Sequence, residues 1–138
     1  MGSKCNMENA VNFITEHYDG FLATSIEDQP RIRPFHFMFF ENGRFYFCTN
    51  IKKHVYIEMN TNPFVEFCSK NKGMDWIRLR GDVIFTDDES VKQKIIDVSA
   101  IVRDVYKSSE NTDLTAFYIE HGEILLSKNL FDCEHIIF

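Results

Sequence analysis

The sequence is poor in residues that break or staple a chain: three Pro, six Gly and four Cys among 138 residues. So few breakers leave no room for long linkers, and there is no internal repeat or low-complexity stretch. One domain over 1–138 is expected, with a core at about 8–127 and a tail from 129 to 138. The cysteines, Cys5, Cys48, Cys68 and Cys133, form no CxxC pair, and the histidines show no HxH or HxxxH spacing, so no metal site is expected. No apolar run approaches the roughly 20 residues of a membrane span. Met1 to Glu8 lacks the apolar stretch of a secretory signal, and Asn6 stands where a myristoylation motif opening on Met1-Gly2 wants Ser or Thr. A cytoplasmic protein is expected, with Cys48 and Cys68 as small core residues of strands. Basic charge is also short: 15 Lys and Arg against 21 Asp and Glu, a net charge of −6. That balance argues against general nucleic-acid binding, which needs a basic stripe.

Aromatic residues are abundant. Fourteen Phe, five Tyr and one Trp favour a sheet-rich core. Helical spacing of Val11, Ile14 and Tyr18 predicts a first helix over Glu8–Tyr18, stopped at Asp19-Gly20. Strands follow at Gly20–Ile26 and Arg31–Glu41, separated by a turn at Glu27-Asp28-Gln29-Pro30. Asn42-Gly43 marks a tight hairpin into a third strand at Arg44–Thr49. A short helix is expected over Lys53–Asn60, closed by Asn62-Pro63, then strands at Phe64–Ser69 and Met74–Thr86. The latter alternates, with Ile77, Leu79, Val83 and Phe85 on one face and Trp76, Arg78, Arg80 and Asp82 on the other. Asp87-Asp88 can cap a helix whose stripe, Val91, Ile95, Val98 and Val102, runs to about Tyr106. Leu114–Glu120 and Glu123–Ser127 read as two closing strands around His121-Gly122. About seven strands and three helices result, mostly joined by short turns, which suggests a mainly β antiparallel barrel with helical insertions.

Three features could carry chemistry. Pro34 in Arg31-Ile32-Arg33-Pro34-Phe35 cannot donate to a ladder, so it belongs at an edge or an opening. The segment is then either a bent edge strand with solvated arginines or a place where backbone groups of Arg33 and Phe35 meet a ligand. Thr49-Asn50-Ile51-Lys52-Lys53 leads into a helix start, whose free N–H groups favour phosphate; the alternative is a solvated basic turn. Trp76, Arg78 and Arg80 on the non-core face suit a subunit contact, against simple exposure or cover by the chain's own helix. His36 reads as a structural rather than a catalytic histidine. No GxSxG element, phosphate-binding glycine loop or clear carboxylate pair is present.

The order of these elements is more specific than any one of them. Arg33-Pro34-Phe35, Glu41-Asn42-Gly43, Phe45-Tyr46-Phe47-Cys48-Thr49-Asn50, Lys53 with Val55-Tyr56, Asn62-Pro63-Phe64-Val65-Glu66 and Trp76-Ile77-Arg78-Leu79-Arg80-Gly81 follow one another. In this the chain resembles the pyridoxamine 5'-phosphate oxidase-like family of FMN-binding split barrels, and most of all its small bacterial, nitroimidazole-resistance-like members. The resemblance covers roughly residues 8 to 127. It implies a homodimer of split barrels with one FMN in each of two interface clefts. The Arg33-Pro34-Phe35 strand would lie along the isoalloxazine, with the Arg33 side chain toward the phosphate. Cys48, Thr49 and Asn50 would meet the ribityl-phosphate. Lys53 would be the phosphate lysine with Lys52 beside it, and Trp76 and Arg78 would face the partner's cofactor or the dimer contact. The implied activity is FMN-dependent oxidoreduction with a small-molecule substrate or nicotinamide donor. A non-catalytic flavin or haem carrier or sensor is the alternative, and deazaflavin or haem the alternative cofactors. The chain is short and lacks the basic C-terminal substrate segment of the vitamin B6 oxidase, since Leu130-Phe131-Asp132-Cys133-Glu134-His135 does not match it.

Overall fold

The computed structural model describes residues 3–138. Met1-Gly2, the opening of the acylation motif considered above, lies outside the described residues. The chain forms α1 (Ser3–Glu16), β1 (Asp19–Ile26), β2 (Gln29–His36), β3 (Phe39–Glu41), β4 (Arg44–Asn50), α2 (His54–Thr61), β5 (Phe64–Lys70), β6 (Trp76–Thr86), α3 (Glu89–Val98), α4 (Ala100–Tyr106), β7 (Leu114–Lys128) and β8 (Asp132–Ile137). Every strand pairing is antiparallel, in the order β2-β1-β5-β6-β7-β4-β3, with β8 added to the C-terminal half of β7. The expected mainly β architecture with helical insertions is the observed one.

The Asn42-Gly43 hairpin forms as its residues dictate, with φ of 54° and 76° at the two turn positions and Glu41 opposite Arg44. β6 also keeps its alternation: Ile77, Leu79 and Val83 are buried while Arg78, Arg80 and Asp82 point out.

Three expectations change. The single strand over Arg31–Glu41 is two, because the Phe37 N–H donates to the Tyr18 carbonyl and the Met38 N–H to the Tyr46 carbonyl. The chain there leaves β1 and crosses to β4. The helix from Asp88 to Tyr106 breaks at Ser99, which ends α3 and caps α4 by accepting from the Val102 N–H at 3.2 Å. Val98 consequently turns outward while Ile95, Ile96 and Val102 go in. The two closing strands are one, β7. Gly122 lies opposite Gly81, and Glu120 and His121 bulge against Asp82, so the sequence that reads as a turn is a bend inside a strand. The tail, to which the sequence assigns no element, turns at Asn129 and Leu130 at positive φ and folds back on β7 as β8.

The sheet coils around a barrel core that includes Leu22, Phe47, Phe67, Leu79, Phe117 and Ile124, joined by Ala10 and Ile14 of α1 and Val55 and Met59 of α2. The Phe47 and Phe117 rings stack 5.4 Å apart. A second cluster, with Tyr46, Cys48, Ala116 and Tyr118 on β4 and β7, packs under Ile95 and Ile96 of α3 and Val102 of α4.

Candidate functional site: an open seam in the barrel

The barrel does not close. β2 pairs only with β1, and β3 covers only the start of β4, Arg44 to Tyr46. Among the described residues no strand lies between Pro34–His36 and Phe47–Asn50, yet the Phe35 and Phe47 ring centroids are 6.2 Å apart. A seam of unladdered backbone results, which is where a planar ligand can take main-chain hydrogen bonds. A groove of about 360 Å³ follows it, within the size range of cofactor sites. Pro34, Phe35 and His36 form one wall, Cys48, Thr49, Asn50 and Lys53 the other, and Ile101, Val102, Val105 and Tyr106 of α4 overhang it.

Six of the ten residues singled out from the sequence therefore meet here: Pro34, Phe35, Cys48, Thr49, Asn50 and Lys53. Four do not. Arg33, expected to reach toward a phosphate, instead donates to the Glu58 carboxylate of α2, to the Thr24 hydroxyl at 3.0 Å and to the Leu22 carbonyl at 3.1 Å. A largely covered carboxylate needs a partner, and α2 brings Glu58 onto the Arg33 guanidinium. Lys52 turns its ammonium to Asp113, 3.3 Å away, although its N–H donates to the Asn50 side chain at 2.8 Å. Trp76 and Arg78 lie on the outer face in a separate hollow of about 400 Å³ with Phe21 and Cys68. There the Arg78 guanidinium sits 4.9 Å over the Trp76 ring and 3.6 Å from Glu66.

The α4 residues were missed because one helical stripe through Tyr106 hides the change of direction. Ser99, a helix-capping residue amid that stripe, was the available signal. His36, expected to be structural, lines the groove, with Nε2 at 3.2 Å from the Asp19 carboxylate.

Among the groove's lining residues none is Asp or Glu, although the chain holds 21 of them. The Thr49 hydroxyl is buried and has no hydrogen-bond partner among the described residues. Lys53 lines one end of the groove and stands at the cap of α2, whose first turn no side chain caps. Burial pushes the Cys48 thiol up to about 12 against the opposing charge of Lys53, so it is a neutral wall and not a nucleophile. Burial likewise raises the Tyr106 phenol. The donor set suits an anionic head at Lys53 and Thr49 with a flat apolar body along the seam. Among the described residues no three His, Cys, Asp or Glu gather as metal ligands, and no helix is long and apolar enough to cross a membrane.

Residues 7–127 match the sequence model of the pyridoxamine 5'-phosphate oxidase family. No curated protein matches the chain. Among solved structures, a NimC/NimA family protein from Clostridium acetobutylicum is 31% identical, with a TM-score of 0.86 over 96% of this chain and 92% of that one. General stress protein 26 from Bacillus anthracis is 19% identical with a TM-score of 0.79, covering 96% of this chain and 99% of its own. A haem-binding protein from Mycobacterium smegmatis is 13% identical with a TM-score of 0.79, over 94% of this chain and 57% of that one. At these last two identities the likeness is one of fold, the split barrel.

Proposed function

Because the chain belongs to the pyridoxamine 5'-phosphate oxidase family, we propose that it binds FMN in the seam groove and acts as a flavin-dependent oxidoreductase in a homodimer. The observation that carries the reading is the groove's charge: a carboxylate-free cleft in an acidic chain, ending at an uncapped helix start beside Lys53 and an unpartnered Thr49 hydroxyl. A phosphate monoester carries nearly two negative charges and several acceptor oxygens. Lys53 and the first amides of α2 answer the charge, and the Thr49 hydroxyl can donate to an acceptor. Asn50 is held by the Lys52 N–H at 2.8 Å, which fixes the turn that presents Lys53. Pro34, which has no N–H, and Phe35 form the flat wall, and α4 limits water entry from above.

When bound, the flavin supplies hydride acceptance and donation to and from a nicotinamide donor or small substrate. The protein's contribution is to bind, orient and desolvate it. Trp76 and Arg78, with the exposed Phe21 and Ile32 on the same outer face, are proposed as the subunit contact. Purified protein should be yellow, with absorbance bleached by a reductant, and colourless protein should titrate saturably with FMN. Failure of both ends this reading.

A second reading is a haem carrier in the same groove. It is favoured by His36 and Met38, two side chains able to ligate haem iron, on the groove's wall. A Soret band in place of flavin absorbance would select it.

A further inference from the structure

Lys92 of α3 is 6% exposed, and its ammonium donates to the Asn111 carbonyl at 3.0 Å. It does not line the groove. A covered ammonium gives up hydration that a single carbonyl returns only in part. Met would fill the same space with an unbranched stem and without that loss. Packing therefore does not account for the cation, and its partner shows what it holds.

Every polar group of Asn111 is engaged. Its N–H donates to the Ser108 carbonyl at 3.1 Å, and its side-chain amide donates to the Tyr106 carbonyl at 3.1 Å. Its side-chain oxygen accepts from the Asp113 N–H at 2.8 Å, and its carbonyl takes Lys92. Two routes lead from it to the groove. One is direct, because Tyr106, the last residue of α4, lines the groove. The other runs through Asp113, whose carbonyl accepts the Ile51 N–H at 3.0 Å and whose carboxylate lies 3.3 Å from the Lys52 ammonium. Ile51 and Lys52 belong to the turn between β4 and α2, where the Lys53 N–H donates to the Asn50 carbonyl at 3.0 Å. Lys92 thus anchors the loop to which the turn carrying Lys53 is hydrogen-bonded.

We propose that Lys92 is a positioning residue: by holding Asn111 it sets the loop 108–113 that fixes residues 50–53, and so places Lys53 and the start of α2 for a phosphate monoester. The identity of the ligand rests on the flavin reading; the hold of Lys92 on the turn does not.

Lys92→Met keeps the stem and removes the ammonium. In the ligand-free protein it should speed hydrogen exchange at the Ile51 amide several-fold relative to the amides of β6. FMN should bind about 3- to 30-fold more weakly, the range of couplings carried through such networks. Riboflavin, which has the same ring and no phosphate, should bind as it does to the unmodified protein; a general loosening of the fold would weaken both flavins alike. Asn111→Ala removes the bonds to Tyr106 and Asp113, should give the same selective loss, and serves if Lys92→Met does not fold. Equal losses for FMN and riboflavin, FMN affinity unchanged in the folded variants, or unchanged exchange at Ile51 overturns the proposal. If Lys53→Ala weakens FMN binding and Lys92→Met does not, the flavin reading stands and this proposal falls. If the unmodified protein refuses both flavins, the flavin reading falls, and Ile51 exchange alone decides whether Lys92 holds the turn.

Discussion

Lys53 and Arg33 lie near the same seam, and the structure separates their work. Lys53 lines the groove at an uncapped helix start, so Lys53→Ala should weaken FMN binding by about 1.5–3 kcal/mol, roughly 10- to 150-fold, in a fluorescence titration. Arg33 is engaged with Glu58, Thr24 and Leu22. Arg33→Ala should therefore lower stability in urea by about 1–3 kcal/mol, while FMN affinity changes far less than in Lys53→Ala. Glu58 gives this pair a pH signature. Burial, the largest influence, opposes its ionisation, but hydrogen bonds from Thr24 and Arg33 with the charge of Arg33 outweigh it and hold the carboxyl below its ordinary value. A carboxyl depressed in the folded state stabilises fully above the unfolded value near 4.3 and loses that contribution as pH falls through the folded value. Glu58→Gln should accordingly flatten the acid limb of the stability curve, and an unchanged limb would place the acid sensitivity elsewhere.

At the scale of elements, β7 and α4 depend on single residues. Gly122 approaches β6 so closely that an added Cβ would lie 2.0 Å from the Arg80 carbonyl oxygen. The contact is with backbone, which cannot rotate away, so Gly122→Ala should cost about 1–3 kcal/mol or force the bulge to slip, read as a lowered thermal midpoint. Ser99 both ends α3 and caps α4. Ser99→Ala removes the acceptor for the Val102 N–H and should cost about 0.5–2 kcal/mol. Because α4 overhangs the groove, the same change should raise hydrogen exchange at Val102 to Tyr106 more than in β6.

For the whole molecule, the outer face of β1, β2, β5 and β6 carries Phe21, Ile32, Cys68, Trp76 and Arg78. Phe21 and Ile32 are 52% and 70% exposed, a poor arrangement for a face that meets only water. A dimer through this face predicts that Ile32→Glu shifts the light-scattering mass to that of one chain. If the partner completes the cofactor cleft, FMN affinity should fall with it. A variant that stays dimeric moves the contact to another face.

The sequence by itself determined what depends on near neighbours. Alternation in β6 set its two faces, Asn42-Gly43 set its turn, and Pro34, Thr49 and Lys53 were recognisable because edge strands and helix starts have local chemistry. The order of these pieces carried the family. Tertiary structure decided what depends on distant partners. Arg33 joined Glu58 because α2 packs across β1, and no spacing along the chain encodes that distance. Phe37 and Met38 became a crossing because two different strands take their N–H groups. His121-Gly122 stayed within a strand because Gly81 allows two backbones to meet where side chains would collide. The seam itself, and α4 above it, exist only once the sheet has curled and left β2 and β4 unjoined.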